Sequence, residues 1–168
     1  MDTLDRLHAD IDLRVHAIRA GVPDWPCAKG CDECCRRLAG IPVLTLAEWQ
    51  RLHQALTMLP AETQARIRDD VAALAEAPAA RPVVCPLLDR GSGACPVYIS
   101  RPTACRTYGF YVQRDGGLYC STIETRVTDG PLADTVWGNQ DAVDRDLAAM
   151  GDARPLTEWF LSVSSPLP

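Results

Sequence analysis

The chain has 168 residues, with 17 basic and 22 acidic side chains and a net charge of −5. This length fits one domain that buries roughly 70% of its unfolded surface, so the fold does not depend on cross-links. The mild acidity disfavours nucleic acid and an anionic membrane as partners, because both attract clustered Lys and Arg. The eight cysteines exceed ordinary usage but fall below the density of a disulfide scaffold.

The N-terminal stretch predicts an amphipathic helix over residues 3–20, followed by a stop signal at Gly21 and Pro23. Its apolar residues recur at helical spacing: Leu4, Leu7, Ile11, Val15 and Ile18. No basic region precedes an apolar run, so the stretch predicts no secretory signal, and every apolar stretch is too short to cross a bilayer. We therefore expect a cytoplasmic protein without membrane contact.

Proline, glycine and four cysteines crowd residues 23–42, which predicts an irregular loop. Thr45 and Glu48 then have the spacing of a capping box, in which each side chain accepts a hydrogen bond from the other residue's backbone. This motif predicts a second helix that runs to about Met58.

A third helix is predicted to begin at Pro60, because proline is favoured in the first turn. Its apolar face contains Ile67, Val71 and Leu74. Pro78 is expected to end it. Residues 77–82 are expected to form a short connector and not a domain boundary.

Two short β-hairpins are predicted in the centre of the chain. The first spans residues 81–99 around the glycine-containing turn 90–93 and has the pattern of a hairpin or knuckle. The second spans residues 110–121 around Asp115-Gly116-Gly117. These segments contain three of the eight cysteines.

The remaining predicted helices are short. Residues 101–105 have the pattern of one helical turn, and further helices are expected near 140–150 and 157–161. The predicted fold class is therefore α+β: a mostly helical frame around irregular cysteine-bearing loops and two short hairpins. We expect a single domain over residues 1–168, with a metal-binding centre over 27–120.

The cysteines fall into two clusters and avoid the helical frame at either end. The first cluster is Cys27, Cys31, Cys34 and Cys35, and the second is Cys85, Cys95, Cys105 and Cys120. Cysteines that only filled a core would also occur on the apolar helix faces, and none does. This segregation indicates that they serve as a set, and in a reducing compartment such thiols are ligands or catalytic groups more often than disulfides.

The spacing of the first cluster constrains its conformation. In a straight helix Cys27 and Cys34 would be about 10 Å apart along the axis, whereas sulfurs bound to one zinc are only about 4 Å apart. A chelating loop bent at Pro26 and Gly30 meets this requirement. Cys34 and its neighbour Cys35 are expected to point in different directions, so that one of them serves a second site or supports the first.

An all-sulfur donor set indicates zinc or an iron–sulfur cluster, less often Cu(I), and disfavours calcium, magnesium and manganese. The three histidines, His8, His16 and His53, lie on predicted helices and are expected to be exposed or partly packed and not ligands. Eight thiols allow two four-cysteine sites, or one site with several non-ligand cysteines, and both arrangements remain open.

Together these motifs resemble the YkgJ-type cysteine-cluster family. The resemblance covers residues 27–120 and includes Val84-Cys85-Pro86, Gly93-x-Cys95 and Arg101-Pro102-x-x-Cys105-Arg106. It implies a zinc- or iron-chelating domain, often labelled an iron–sulfur oxidoreductase. The ligands it implies are Cys27, Cys31, Cys34, Cys35, Cys85, Cys95 and Cys105. Cys120, also a candidate ligand, fits the pattern less closely because its spacing varies in the family.

Residues beside the cysteines have two interpretations each. Arg101 and Arg106 could donate hydrogen bonds to thiolates and offset their charge, or they could be ordinary surface arginines. Asp32 and Glu33 could act as general bases beside a metal, although solvated loop charges are the better interpretation.

The leading functional hypothesis is a metal-binding protein, whose partners are a metal ion and an unidentified protein. The alternative is an enzyme: an iron–sulfur oxidoreductase or a metal-dependent protein-modifying enzyme. The sequence contains no recognisable nucleophile–base pair and no glycine-rich loop for a nucleotide cofactor. Metal binding is therefore favoured over catalysis.

Overall fold

The computed structural model describes residues 2–76, 82–128 and 130–163. The helices in these ranges are α1 (Thr3–Gly21), α2 (Glu33–Arg36), α3 (Leu46–Thr57), α4 (Ala61–Glu76), α5 (Thr103–Thr107), α6 (Ser121–Thr128), α7 (Gln140–Ala149) and α8 (Leu156–Val163). The strands are β1 (Val43–Thr45), β2 (Tyr111–Gln113), β3 (Gly116–Gly117), β4 (Gly138–Asn139) and β5 (Ala153–Pro155). Of the described residues 54% are helical, and small sheets accompany the helices, which confirms the α+β class.

The chain divides into two compact units, each built around its own hydrophobic core. The first unit contains Met1–Ala28 and Thr103–Gly151, and the second contains Lys29–Pro102 and Asp152–Pro168. The expectation of a single domain stays a prediction. Within the described ranges, no helix is both long and apolar enough for a membrane span.

Most predicted helices are confirmed, with ends that differ by a few residues. The predicted stop at Pro78 and most of the 77–82 connector lie outside the described residues. Two helices, α2 and α6, were not predicted because each lies beside cysteines in a stretch with little apolar periodicity. The carbonyl oxygen of Cys120 accepts bonds from the backbone N–H groups of Ile123 and Glu124, both at 3.0 Å, so the last cysteine opens α6.

The predicted hairpin over residues 110–121 is present. β2 pairs antiparallel with β3 and, on its other edge, parallel with β4. The first predicted hairpin, by contrast, closes with a single antiparallel bridge between Asp89 and Ala94 and forms no strands. Pro86 and Pro96 flank this bridge and lack the N–H donor that a longer ladder requires.

Helix α1 places one apolar face against the core of the first unit. Its N-terminus is closed by a capping box between Asp2 and Asp5, in which the Asp5 N–H donates to Asp2 Oδ1 at 2.6 Å. The buried face comprises Leu4, Leu7, His8, Ile11 and Ile18. The expectation that His8 is exposed or partly packed is therefore wrong, because His8 is only 4% exposed.

Aromatic rings form another part of the first core. Trp25 stacks on Phe110 with ring centroids 5.4 Å apart and meets Trp137 edge-on at 5.5 Å. Rings at these separations attract each other beyond the burial of their area. Trp25 lies two residues before Cys27, so this packing anchors the chain next to the first cysteine.

In the second unit, α3 and α8 pack through Trp49 and Trp159, whose rings are nearly parallel at 6.2 Å. The indole nitrogen of Trp159 donates to the Leu44 carbonyl oxygen at 2.9 Å. The capping box predicted for α3 is present: Glu48 Oε2 accepts from the Thr45 N–H at 2.9 Å, and the Glu48 N–H donates to Thr45 Oγ1. Both residues are buried.

Thr45→Ala is expected to lower the free energy of unfolding by about 1 kcal/mol, because it removes the N-terminal cap of α3. Urea denaturation followed by circular dichroism measures this loss. Thr57→Ala is the matched control, since Thr57 is an exposed threonine at the other end of the same helix. Equal losses of unfolding free energy in the two variants would show that the Thr45 cap does not stabilise the helix more than the exposed Thr57 does.

Candidate metal centre

All eight cysteines lie in the described ranges and have free thiols. The cysteines are distributed between the two units differently from their distribution between the two sequence clusters. The second unit contains Cys31, Cys34, Cys35, Cys85 and Cys95, and the first contains Cys27, Cys105 and Cys120. The boundary between the units falls inside the first sequence cluster, after Ala28.

Helix α2 brings two neighbouring thiols together. The pKa of the Cys34 thiol is strongly raised, first by a hydrogen bond with the Cys35 side chain and then by burial. The expectation that Cys34 and Cys35 point in different directions is therefore wrong. In this single helical turn the two sulfurs are close enough to interact.

Cys85 is attached to the segment that carries these thiols. Its backbone N–H donates to the Cys35 carbonyl oxygen at 2.7 Å. Leu38 and Val83 continue the pairing through two reciprocal backbone bonds of 2.9 and 3.0 Å. Cys85 is only 9% exposed, and burial raises the pKa of its thiol to about 11.

Cys95 shares the same electrostatic environment. Burial raises the pKa of the Cys95 thiol. The Arg101 guanidinium lowers this pKa, and the charge of Cys34 raises it further. Cys34 and Cys95 in turn raise the pKa of Cys85. Four thiols of the second unit, Cys34, Cys35, Cys85 and Cys95, therefore form one group of interacting side chains, which is called the four-thiol group below.

Two cations lie over the ring of Tyr98, a residue whose backbone N–H donates to the Cys95 carbonyl oxygen at 3.2 Å. The Arg101 guanidinium carbon is 3.9 Å from the ring centroid and Lys29 Nζ is 5.8 Å from it. Both separations are in the range of cation–π attraction. Of the two interpretations of Arg101, the structure favours a residue that offsets thiolate charge, because its guanidinium acts on Cys95.

The Arg36 side chain connects α2 to the turn formed by residues 89–94. Arg36 Nε donates to Asp32 Oδ2 at 2.6 Å, and Arg36 Nη2 donates to the Arg90 carbonyl oxygen at 3.3 Å. Gly93 has φ +68, and a Cβ there would lie 3.1 Å from Asp32 Oδ2. Asp32 is thus engaged in an ion pair with Arg36. Glu33 likewise forms an ion pair with Arg37, with an N–O distance of 3.6 Å. These ion pairs favour the interpretation of Asp32 and Glu33 as loop charges over the interpretation as general bases.

The turn over residues 89–94 has its own polar support. The Ser92 hydroxyl donates to Asp89 Oδ2 at 2.6 Å and the Gly91 N–H donates to Asp89 Oδ1 at 3.0 Å. These bonds, the Ser92 bond first, lower the pKa of Asp89. Their contribution to stability is fully present above the ordinary carboxyl pKa and is lost as the pH falls through the lowered value.

Gly93→Ala is expected to lower the free energy of unfolding by about 1–2 kcal/mol, because a Cβ is strained at positive φ. Gly91→Ala is the matched control in the same turn: its Cβ would meet no atom closer than Asp89 Oδ1 at 3.5 Å. Urea denaturation of both variants tests this. If Gly91→Ala proved as costly as Gly93→Ala, the positive φ of Gly93 would not be the reason.

In the first unit, Cys27 and Cys120 pack against the aromatic core. Arg19 Nη2 donates to the Cys27 carbonyl oxygen at 2.7 Å. A Cβ on Gly109 would lie 3.1 Å from Cys27 Sγ, so this glycine, at φ +87, leaves room for the sulfur.

Cys105 lies on α5, which two polar contacts attach to α1. His8 Nε2 is 3.0 Å from Thr103 Oγ1, and Arg106 Nη1 donates to both carboxylate oxygens of Asp12 at 3.0 and 3.1 Å. His8 and Asp12 are one helical turn apart, as the α1 face requires. Sequence reasoning missed both as supports of a cysteine-bearing helix, since their spacing reveals a shared face but not the partner.

Asp12→Ala is expected to lower the free energy of unfolding by about 1 kcal/mol, because it removes the carboxylate opposite Arg106, whose side chain is only 9% exposed. The control is Asp10→Ala on the same helix, where the residue is exposed. Thermal denaturation at low ionic strength measures both variants. An Asp12 variant as stable as the Asp10 variant would contradict a supporting role.

As they stand, no three His, Cys, Asp or Glu side chains of the described ranges are arranged to hold a metal ion. The donor chemistry nevertheless fits a soft metal. The four-thiol group is free, interacting and partly or fully buried, and thiolates are the preferred ligands of zinc and of iron–sulfur clusters.

These thiols and their surroundings define a cysteine-cluster protein with the donors of a soft-metal site. The family model CxxCxxCC, described as "Putative zinc- or iron-chelating domain", matches residues 26–128, which is 103 of 168 residues. The chain belongs to this family, as the motif resemblance predicts. No curated protein and no solved structure shows significant similarity to this chain.

Proposed function

We propose that this protein binds zinc or iron, the latter as an iron–sulfur cluster or as an ion, through cysteine thiolates in the reducing cytoplasm. Family membership supports metal chelation in general. The observation that carries the ligand assignment is the four-thiol group, in which the 2.7 Å bond from Cys85 N–H to the Cys35 carbonyl joins two segments 50 residues apart in sequence.

Charge supports a cation at this group. Thiolates that are partly removed from water are costly unless a positive charge neutralises them. A divalent metal ion would supply that charge, and Arg101, whose guanidinium lowers the pKa of Cys95, would offset part of the remainder. When bound, zinc would contribute folding free energy, whereas an iron–sulfur cluster would add one-electron redox chemistry.

The other four cysteines complete the proposed set of eight ligands. Cys27, Cys105 and Cys120 belong to the first unit, and we assign them to a second ligand set with three protein thiols. Cys31 is exposed. An exposed thiol so close in sequence to Cys34 and Cys35 is suited to passing a metal ion to or from a partner protein.

A second candidate function is an iron–sulfur oxidoreductase or a metal-dependent protein-modifying enzyme. The observation that favours it is the number of cysteines in the first unit. Three protein thiols would leave one coordination position of a tetrahedral metal open, and catalytic metal sites keep such a position for water or substrate.

Colour and metal content distinguish the proposed metals. Protein isolated without oxygen is expected to be brown with broad absorption near ~400 nm if it binds an iron–sulfur cluster, and colourless if it binds zinc. Elemental analysis gives the number of metal ions per chain. Protein that contains no zinc or iron after anaerobic isolation, and that binds neither on addition, would overturn the proposed function.

Cys95→Ser is expected to remove most of one metal equivalent per chain, because a serine hydroxyl is a poor ligand for a soft metal. His16→Ala is the control, since His16 is exposed on α1, and it should retain the full metal content. Far-ultraviolet circular dichroism confirms that both variants are folded. Unchanged metal content in folded Cys95→Ser would rule this cysteine out as a ligand.

A further inference from the structure

The first unit contains a surface cleft of about 400 Å³ in which no cysteine takes part. One wall is a stripe of α1 formed by Arg14, Ala17, Ile18 and Gly21, and the other includes Asp134 and Thr135. The four helical positions have the i, i+3, i+4, i+7 spacing of a single face. The cleft is therefore a feature of α1 and the loop before β4, and metal ligation does not explain it.

Small residues in the helical stripe leave the space open. Ala17 and Gly21 are one turn apart on α1, and a Cβ built on Gly21 would meet no atom within 4 Å. Larger side chains at these two positions would fill the cleft. Between them, Ile18 is 6% exposed and supplies an apolar floor.

Two opposite charges line the cleft without neutralising each other. Arg14 and Asp134 are both exposed, and neither makes an ion pair or hydrogen bond with another described residue. A guanidinium matches a carboxylate in shape and charge, and a carboxylate accepts from an ammonium group. The cleft thus presents a complementary partner for each end of a dipolar molecule.

A buried hydroxyl group adds a third polar feature. Thr135 Oγ1 is inaccessible to solvent and has no hydrogen-bond partner in the described chain. Buried polar atoms without a partner are rare in folded proteins because each has lost its bonds to water. Because Thr135 also lines the cleft, a change of its χ1 rotamer would bring this hydroxyl to the cleft surface, where a bound molecule can supply the missing partner.

We propose that this cleft binds a small zwitterion with an apolar body, of the amino-acid class. Arg14 binds the carboxylate, Asp134 binds the ammonium group, Thr135 makes a hydrogen bond to the ligand, and the apolar side chain lies over Ile18. The volume is within the ~300–1,000 Å³ range of small-molecule sites. This site goes beyond metal binding and does not depend on it.

Titration of the isotope-labelled protein with L-leucine, followed by amide chemical shifts, tests the site. Saturable shifts are expected at Ala17, Gly21 and Thr135. Leucinamide lacks the carboxylate and 4-methylpentanoate lacks the ammonium group, so each is expected to bind at least tenfold more weakly. Trileucine is run in parallel: tighter binding of leucine assigns the site to free amino acids, and tighter binding of trileucine assigns it to short peptides.

Three variants give the residue-level test. Arg14→Gln and Asp134→Asn are each expected to weaken binding about tenfold, which corresponds to about 1.4 kcal/mol, and Ala17→Phe is expected to abolish it by filling the cleft. Arg68→Gln, at an exposed arginine of α4, is the control and should bind as the wild type does. The proposal is overturned if neither leucine nor trileucine gives saturable shifts, if leucinamide binds as well as leucine, or if Arg14→Gln has no effect.

Discussion

The backbone hydrogen bond from the Cys85 N–H to the Cys35 carbonyl is the contact on which the proposed metal centre depends. Together with the Leu38–Val83 bridge, it aligns two segments that α3 and α4 separate in sequence. Backbone bonds of this kind specify direction as well as distance. They bring the buried Cys85 thiol to α2, where Cys34 and Cys35 already interact, and Cys95 follows through the turn over residues 89–94.

The surroundings of the thiols are polar and specific, not merely hydrophobic. Asp32 and Arg36 connect α2 to the turn before Cys95, and His8 and Asp12 connect α1 to the helix that carries Cys105. Groups that orient ligands in this way reduce the ordering that must accompany binding. In each unit, the cysteines thus lie on or beside short elements that longer helices or backbone bridges hold in place.

Different faces of helix α1 contact different parts of the first unit. Its apolar face forms part of the first core, His8 and Asp12 contact α5, and the stripe from Arg14 to Gly21 lines the cleft. A 19-residue helix can do this because side chains project around its whole circumference. The residues that metal chelation does not explain, Ala17 and Gly21 among them, lie on the stripe where small side chains leave space.

The sequence by itself determined the α+β class, the long helices and the N-terminal cap of α3, because apolar periodicity and the Thr45–Glu48 spacing are local properties. The absence of cysteines from the helical frame also predicts that they serve as a set, and this stays a prediction. Only the tertiary structure decided that Cys27 belongs to one unit and Cys31 to the other, that His8 is buried, and that Cys34 and Cys35 interact. Each of these depends on contacts between segments remote in sequence or on the conformation of a single helical turn, and neither leaves a periodic signal in the chain.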